Sequence, residues 1–170
     1  MAYNYDALYR TTKDALGAPT KKIVDAFAAL DGRRLRVLDV GCGQGRDALF
    51  IARLGHHVTG VDISTSGISA MIAAAKAEGL SVEGVVADIR EFQTEQLYDV
   101  ILFDRTLHML AELQRLDVLG RLIGCVDQAG RVLIADERSN IPAFEAALLS
   151  DSRNWEIELR DRGYLFARRQ

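Results

Sequence analysis

Glycines and aspartates are concentrated in the stretch VLDVGCGQGRDALFIARLGHHVTGVDIS, from Val37 to Ser64. Gly41, Gly43 and Gly45 separate an apolar run from the start of an apolar helical pattern. Glycines at such a turn permit positive φ angles and let a ligand approach the main chain without meeting a Cβ atom. One glycine would be enough for a sharp turn, so the three together predict a ligand-binding loop.

The spacing of these glycines differs from two common nucleotide-binding motifs. The pattern is GxGxG, with Arg46 and Asp47 where the dinucleotide fingerprint GxGxxG would continue, and no Gly-Lys-Ser/Thr follows as in a P-loop. An arginine beside an acid makes a poor cradle for a free pyrophosphate. We therefore expect a ligand that is not held by its phosphates.

Three carboxylates accompany the loop. Asp62 lies 21 positions after Gly41, where a strand-end acid can bind both hydroxyls of a ribose, although this spacing also suits NAD. Asp88 is placed to bind a base edge, and Asp39 interrupts an apolar run, where burial requires a compensating partner. Structural roles remain open for all three: Asp62 could cap the turn before Ser64, Asp88 could be solvated, and Asp39 could brace the loop.

Strands and helices alternate around these residues. Apolar runs such as VILF and VLIA lack polar alternation, which is typical of strands covered on both faces by helices. The predicted strands cover residues 35–40, 58–62, 82–87, 99–103 and 132–135. Helices are predicted over residues 20–30, 46–54, 64–79 and 113–123. This alternation predicts a doubly wound α/β fold.

The end of the chain has a different pattern. In NWEIELRDRGYLFARRQ, Trp155, Ile157 and Leu159 alternate with charged residues, and a turn follows at residues 161–163. Strict alternation around a turn indicates an antiparallel hairpin with one solvated face. We therefore expect a mostly parallel sheet that carries an antiparallel hairpin at its end.

Length and composition indicate one domain spanning residues 1–170, with a net charge of -3 that gives no reason to expect a nucleic-acid partner. The first residues lack a signal-peptide pattern, and no apolar run is long enough for a membrane helix. Two distant cysteines and three histidines show no metal-site spacing, so no metal is expected. We expect a cytoplasmic protein without a membrane association.

The motifs VLDVGCGQG, VTGVDIS, VVADI and YDVILFDRTLHML resemble those of the class I S-adenosylmethionine-dependent methyltransferases. Within that family they look most like the small branch that includes tellurite-resistance and thiopurine methyltransferases. The resemblance implies a Rossmann-like sheet of seven strands in the order 3-2-1-4-5-7-6, with strand 7 antiparallel and helices on both faces. It also implies S-adenosyl-L-methionine as cofactor and S-adenosyl-L-homocysteine as product.

The resemblance assigns roles to individual positions. The glycine loop would face the methionine and ribose portion, Asp62 the ribose diol, and Asp88 with Ile89 the adenine. The implied cofactor-binding residues are Asp39, Gly41, Cys42, Gly43, Gly45, Asp62, Ile63, Asp88, Ile89 and Phe103. The Asn/Asp-Pro-Pro-aromatic motif of many amino-methylating members is missing, which argues against nucleobases and glutamine amides as acceptors.

Methyl transfer is an in-line displacement that depends mainly on alignment of the reactants. A thiolate or another soft anion needs no base, whereas a hydroxyl or amine acceptor must lose a proton. His108, with Asp104 behind it, is the candidate base, and Arg105 could attract an anionic acceptor. A structural role for His108 stays open. Because no long insertion builds a recognition module, we expect a small-molecule or soft-anion acceptor.

The amino-terminal segment, residues 1–19, precedes the predicted core of residues 20–170. Its tyrosines Tyr3, Tyr5 and Tyr9 could form a lid over the cofactor, or the segment could be a mobile tail or a hydrophobic strap. Two other functions are open: a nicotinamide-dependent oxidoreductase, which the loop spacing and terminal hairpin oppose, and a non-catalytic binding subunit with this fold. The expected assembly is a monomer or a small homo-oligomer.

Overall fold

The computed structural model describes residues 4–30 and 32–170. The chain divides into two units, Met1–Ile89 and Arg90–Gln170. Tyr3, one of the three tyrosines of the predicted lid, lies outside the described residues. The prediction that residues 1–170 form a single domain stays a prediction.

The first unit contains the glycine loop. Its elements, in chain order, are α1 (Tyr5–Thr11), α2 (Lys21–Ala28), β1 (Arg36–Val40), α3 (Arg46–Arg53), β2 (His57–Asp62), α4 (Thr65–Glu78) and β3 (Val82–Val86). The three strands are parallel, and Asp39 on β1 is opposite Gly60 on β2. Helix α4 begins and ends as its sequence predicts: the Ser64 hydroxyl accepts a hydrogen bond from the Gly67 N–H, and Gly79 has a φ of +66°.

The second unit contains the predicted acceptor residues. Its elements are β4 (Tyr98–Asp104), a 3₁₀ turn (Leu107–Met109), α5 (Glu112–Ile123), β5 (Val126–Ala135), α6 (Ile141–Leu149), β6 (Trp155–Asp161) and β7 (Tyr164–Arg169). Strand β4 is buried along its whole length, as the unbroken apolar run predicts. Strand β7 is antiparallel to both β5 and β6.

The strand order is β3-β2-β1-β4-β5-β7-β6. This confirms the predicted seven-stranded fold, including the antiparallel seventh strand. In the terminal hairpin, the outward residues of β6 are exposed and the alternate ones are half-buried or buried, so one face is solvated as expected.

One strand and two helices differ from the sequence prediction. Helix α1, in the amino-terminal segment, was not predicted. Strand β5 begins at Val126, six positions before the predicted start at Val132. The additional residues belong to the strand because Val126 pairs with Tyr98 of β4, on the far side of an irregularity in the pairing between Tyr98 and Val100. Helix α6 was not predicted. Its sequence, IPAFEAALL, is apolar almost throughout and so gives little amphipathic periodicity to detect.

Candidate functional site

The glycine loop follows β1 and is held against β2 by main-chain hydrogen bonds. The N–H groups of Gly41 and Cys42 both donate to the carbonyl of Val61, at 2.7 and 3.1 Å. The φ angles of Gly41, Gly43 and Gly45 are +78°, +53° and +82°. These values lie in the region that side-chain-bearing residues rarely adopt, so the loop conformation depends on its glycines.

Asp62 connects the loop to the start of α4. Its Oδ2 atom accepts a hydrogen bond from the Gly43 N–H at 2.8 Å, and its Oδ1 atom accepts one from the Ser64 N–H at 2.8 Å. Asp62 therefore does cap the turn before Ser64. A carboxylate has about four acceptor positions, so two remain available after these bonds. The structural role leaves room for a ligand with two hydroxyl groups.

Asp39 and Cys42 are buried beside Asp62. Asp39 is 3% exposed and Cys42 is 6% exposed. Burial raises the pKa of the Cys42 thiol well above its usual value, and the Asp39 and Asp62 carboxylates raise that pKa further. A raised pKa disfavours the thiolate, which is the nucleophilic form of a cysteine.

Residues at the ends of β2 and β3 present both polar and apolar surface. Ile63, directly after Asp62, is 68% exposed, which is unusual for a large apolar side chain. The N–H of Ala87 donates a hydrogen bond to the main-chain carbonyl of Asp62 at 3.0 Å. Asp88 therefore directly follows a residue that is hydrogen-bonded to the end of β2. Asp88 is half-buried, whereas Ile89 is almost completely buried.

Gln44, within the glycine loop, binds the amino-terminal segment. Its side-chain amide donates to the carbonyls of Tyr9 and Thr12, at 3.1 and 2.8 Å, and its Oε1 atom accepts from the Ala15 N–H at 3.0 Å. This segment is also bound at α4, since Asp6 accepts hydrogen bonds from the Ser64 hydroxyl and the Ser66 N–H. Residues 6–15 are thus attached to the loop and to α4.

Tyr9 lies directly against the glycine loop. It is 8% exposed, and a Cβ atom added to Gly43 would lie 2.5 Å from the Tyr9 hydroxyl oxygen. Burial raises the pKa of Tyr9, and the nearby Asp62 carboxylate raises it further. The hydroxyl therefore stays protonated and available as a hydrogen-bond donor. Tyr5 packs beside it, with ring centroids 5.8 Å apart.

The second unit carries the residues predicted for the acceptor side. Phe103, which was predicted to bind the cofactor, has no solvent-exposed surface. Asp104 is 8% exposed at the end of β4. Arg105 is exposed and has a φ of +59°, and its N–H donates to the Ala135 carbonyl at 2.8 Å. His108 follows in the 3₁₀ turn, with a side chain that is 26% exposed.

Asp136, which the sequence analysis did not single out, is an acid that contacts His108 within this unit. Its Oδ2 atom accepts a hydrogen bond from the His108 N–H at 3.0 Å. Asp136 directly follows the apolar run VLIA, just as Asp62 and Asp104 follow theirs. The same strand-end pattern could therefore have identified it. Gln44 gave no such signal, because its partners are main-chain atoms of a distant segment.

Metal and membrane features are absent from the part of the chain that the structure describes. No group of three or more histidine, cysteine, aspartate or glutamate side chains among residues 4–30 and 32–170 is arranged to hold a metal ion. None of the described helices combines the length and apolar character needed to cross a bilayer.

Comparison with known proteins identifies the family. A family model described as a methyltransferase domain matches residues 37–130, more than half of the chain. The chain therefore belongs to the methyltransferase domain family, and the predicted resemblance to class I S-adenosylmethionine-dependent methyltransferases is confirmed. The match begins in β1 and includes the glycine loop, Asp62, Asp88 and His108.

Curated relatives are similar over part of their length. The chain is 31% identical over 105 residues to a ubiquinone biosynthesis O-methyltransferase of Rickettsia felis, an alignment covering 62% of this chain and 42% of the relative. It is 34% identical over 67 residues to a probable S-adenosyl-L-methionine-dependent methyltransferase TehB of Haemophilus influenzae, covering 39% of this chain and 23% of that protein. The chain thus spans less than half the length of these relatives.

Solved structures share the fold over most of this chain. TehB from Haemophilus influenzae superposes with a TM-score of 0.72 at 20% identity, covering 91% of this chain and 63% of that one. The N-methyltransferase NodS from Bradyrhizobium japonicum WM9, solved in complex with S-adenosyl-l-homocysteine, gives a TM-score of 0.72 at 16% identity and covers 99% and 97%. At these identities the likeness concerns the fold alone.

Proposed function

We propose that this protein binds S-adenosylmethionine and transfers its methyl group to a small-molecule acceptor. The observation that carries the proposal is the glycine loop anchored on Asp62, since the loop offers main chain without side chains beside a carboxylate with spare acceptor positions. Membership of the methyltransferase domain family favours methyl transfer over the alternative of a nicotinamide-dependent oxidoreductase.

The residues of the first unit fit the parts of this cofactor. The remaining lone pairs of Asp62 suit a ribose diol, the exposed side chain of Ile63 suits the flat apolar face of a base, and Asp88 suits a base edge. The buried Asp39 carboxylate is placed to interact with an ammonium group near the loop. All four residues are among the cofactor-binding residues that the sequence predicts.

When bound, S-adenosylmethionine supplies a methyl group on a positively charged sulfur that is a good leaving group. The protein has to fix the cofactor and exclude competing water. The glycine loop and Asp62 perform the first task. We assign the second to the amino-terminal lid, residues 1–19, because Tyr9 covers Gly43 and Gln44 ties the segment to the loop.

For the acceptor we favour a small hydroxyl compound. His108 beside the buried acid Asp136 is a pair suited to accept a proton, which a hydroxyl acceptor must lose and a thiolate need not. The named activity of the Rickettsia felis relative is also O-methylation. A thiol or a selenium or tellurium oxyanion is the second candidate, in line with the similarity to TehB. Asp104 and Arg105 remain the other proposed acceptor-side residues.

The remaining sequence expectations complete the proposal. The partner is a small molecule and not a nucleic acid or a membrane, the assembly is a monomer or a small homo-oligomer, and the compartment is the cytoplasm. Residues 1–170 act as one methyltransferase domain.

The test is formation of S-adenosylhomocysteine from S-adenosylmethionine with an acceptor panel of catechol, a small aromatic thiol, selenite and tellurite. We expect turnover with at least one of these, and with catechol if the acceptor is a hydroxyl. The Asp62→Ala variant should lose turnover, while Asp25→Ala, which removes an exposed carboxylate on α2, should retain it. Cofactor binding without turnover across the panel would instead favour a non-catalytic binding subunit.

A further inference from the structure

A buried aspartate organises the loop that carries His108. The Asp136 side chain has no exposed surface. It accepts hydrogen bonds from the N–H groups of His108 and Glu137, at 3.0 and 2.8 Å, and from the side-chain amide of Asn140 at 2.7 Å. Because burying a carboxylate is costly without such donors, these bonds fix the position of the acid relative to the His108 main chain.

The His108 ring is oriented toward the same acid. Its Nδ1 atom is buried and has no hydrogen-bond partner among the described residues. Nδ1 lies 3.8 Å from Oδ2 of Asp136, slightly beyond hydrogen-bond range. Since a buried polar atom without a partner is unfavourable, a small ring rotation that closes this gap is favourable. The His108 side chain is 26% exposed, but its Nδ1 atom contributes almost nothing to that exposed surface.

We infer that Asp136 is a positioning residue, which keeps the proton of neutral His108 on Nδ1 and presents Nε2 as the base for a hydroxyl acceptor. The tautomer of a histidine is set by the hydrogen bond of its other ring nitrogen, and a carboxylate on Nδ1 selects the Nδ1–H form. The inference rests on the proposed function for its catalytic meaning. The orientation itself depends only on contacts within the second unit.

The proton and electron balance of the step is simple. The acceptor O–H bond breaks and its proton goes to Nε2 of His108. An electron pair of the acceptor oxygen forms the new bond to the methyl carbon, and the carbon–sulfur bond breaks with its pair remaining on sulfur. The imidazolium is stabilised by the Asp136 carboxylate and returns its proton to water.

A second histidine, His56, provides an internal reference for determining the tautomer of His108. Among the three histidines of the protein, His56 accepts a hydrogen bond at Nδ1 from the Leu35 N–H at 3.2 Å. Neutral His56 must therefore carry its proton on Nε2, which is the opposite of the tautomer inferred for His108. Long-range ¹H–¹⁵N correlation spectra of the labelled protein in alkaline solution, where imidazole rings are neutral, distinguish the two forms.

We expect the wild-type spectrum to show the Nδ1–H tautomer as the major form of His108 and the Nε2–H tautomer for His56. The His108→Gln variant assigns the signal by its loss. A His108 ring that is mainly in the Nε2–H form in the wild-type protein would overturn the inference. This measurement needs no substitution of Asp136 and so decides the matter even if changes there prevent folding.

The variant Asp136→Asn adds the causal test. It should shift His108 toward the Nε2–H tautomer, while Asp117→Asn, which neutralises an exposed aspartate on α5, should leave the spectrum unchanged. A folded Asp136→Asn protein that keeps the Nδ1–H form would show that another group sets the tautomer, against the inference. Measuring the binding of S-adenosylhomocysteine to the wild-type protein tests the proposed function separately from the role of Asp136. If S-adenosylhomocysteine does not bind, the proposed function is contradicted, but the tautomer of His108 is unaffected.

Discussion

The main-chain N–H of Gly43 donates a hydrogen bond to the Oδ2 atom of Asp62 at 2.8 Å. This bond joins the loop after β1 to the end of β2, two segments that are 19 residues apart in sequence. It explains why glycines and an acid occur together in the motif: the glycines allow the loop to turn toward β2, and the acid accepts the N–H group that the turn presents.

Replacing Asp62 should weaken cofactor binding more than it changes the fold. In the variant Asp62→Ala, the ribose hydroxyls would lose their acceptor and the N–H groups of Gly43 and Ser64 would lose theirs. We expect the affinity for S-adenosylhomocysteine to fall by about 1 to 3 kcal/mol, measured by calorimetry on protein shown to be folded by circular dichroism. Unchanged affinity would remove Asp62 from the site, and Asp25→Ala provides the matched control.

The close approach of Tyr9 to Gly43 predicts a coupled effect on stability. Gly43→Ala places a Cβ atom 2.5 Å from the Tyr9 hydroxyl oxygen, in addition to the strain of a φ of +53°. Gly79→Ala has a similar φ of +66° but no atom within 4 Å of the new Cβ, so it measures the backbone strain alone. In urea unfolding, Gly43→Ala should lower the free energy of unfolding by about 1 to 3 kcal/mol more than Gly79→Ala does.

The contact between Tyr9 and a side chain at position 43 can also be removed by truncating Tyr9. On a Tyr9→Ala background, the cost of Gly43→Ala should fall to about that of Gly79→Ala, because only backbone strain remains. An equal cost of Gly43→Ala with and without the Tyr9 side chain would contradict the packing of α1 against the loop.

Gln44 should control how firmly the amino-terminal segment is attached. Gln44→Ala removes three hydrogen bonds to residues 9–15, each worth about 0.5 to 1.5 kcal/mol. Arg10 and Lys13 are exposed trypsin sites in this segment. We expect their cleavage in limited proteolysis to accelerate by about tenfold or more. Gln114→Ala, on the exposed face of α5, should cleave at the wild-type rate; the same rate for Gln44→Ala would show that the segment is held by other contacts.

A pH-dependent contribution to stability is expected at Asp151. Hydrogen bonds from Arg153 lower the pKa of Asp151 from 3.8 to about 2 in the folded protein. A carboxyl whose pKa is lower when folded stabilises the protein above its unfolded pKa, and this contribution disappears as the pH falls through the folded pKa. Asp151→Asn should therefore be less stable than wild type near neutral pH.

The difference in free energy of unfolding between wild type and Asp151→Asn should shrink as the pH falls from about 4 toward about 2. Denaturant titrations at several pH values measure it. Asp117→Asn, at an exposed position, should show a small difference that does not follow this pattern. A wild-type advantage that stays constant down to about pH 2 would contradict the role of Arg153.

Much of the fold could be predicted because its determinants are local. Unbroken apolar runs identify strands buried on both faces, while Ser64 and Gly79 limit α4 through capping interactions between near neighbours. The alternation of Trp155, Ile157 and Leu159 with charged residues identified the terminal hairpin. Helix α6 was missed because a nearly uniform apolar segment has no periodic signal.

The site was predictable only in part, for a different physical reason. Glycines and strand-end acids are visible in the sequence because each has a local conformational or solvation requirement. The contacts of Gln44 with residues 9–15 and of Asp136 with His108 join segments about 30 residues apart. Nothing local to those residues requires a distant partner, so the folded chain was needed to find them.

The central claim is that the glycine loop and Asp62 bind S-adenosylmethionine, and calorimetric titration of the purified protein with S-adenosylhomocysteine and with NAD tests it most directly. The structure and family predict saturable binding of S-adenosylhomocysteine and none of NAD. Binding of NAD, or of neither compound, to the folded protein would contradict the account.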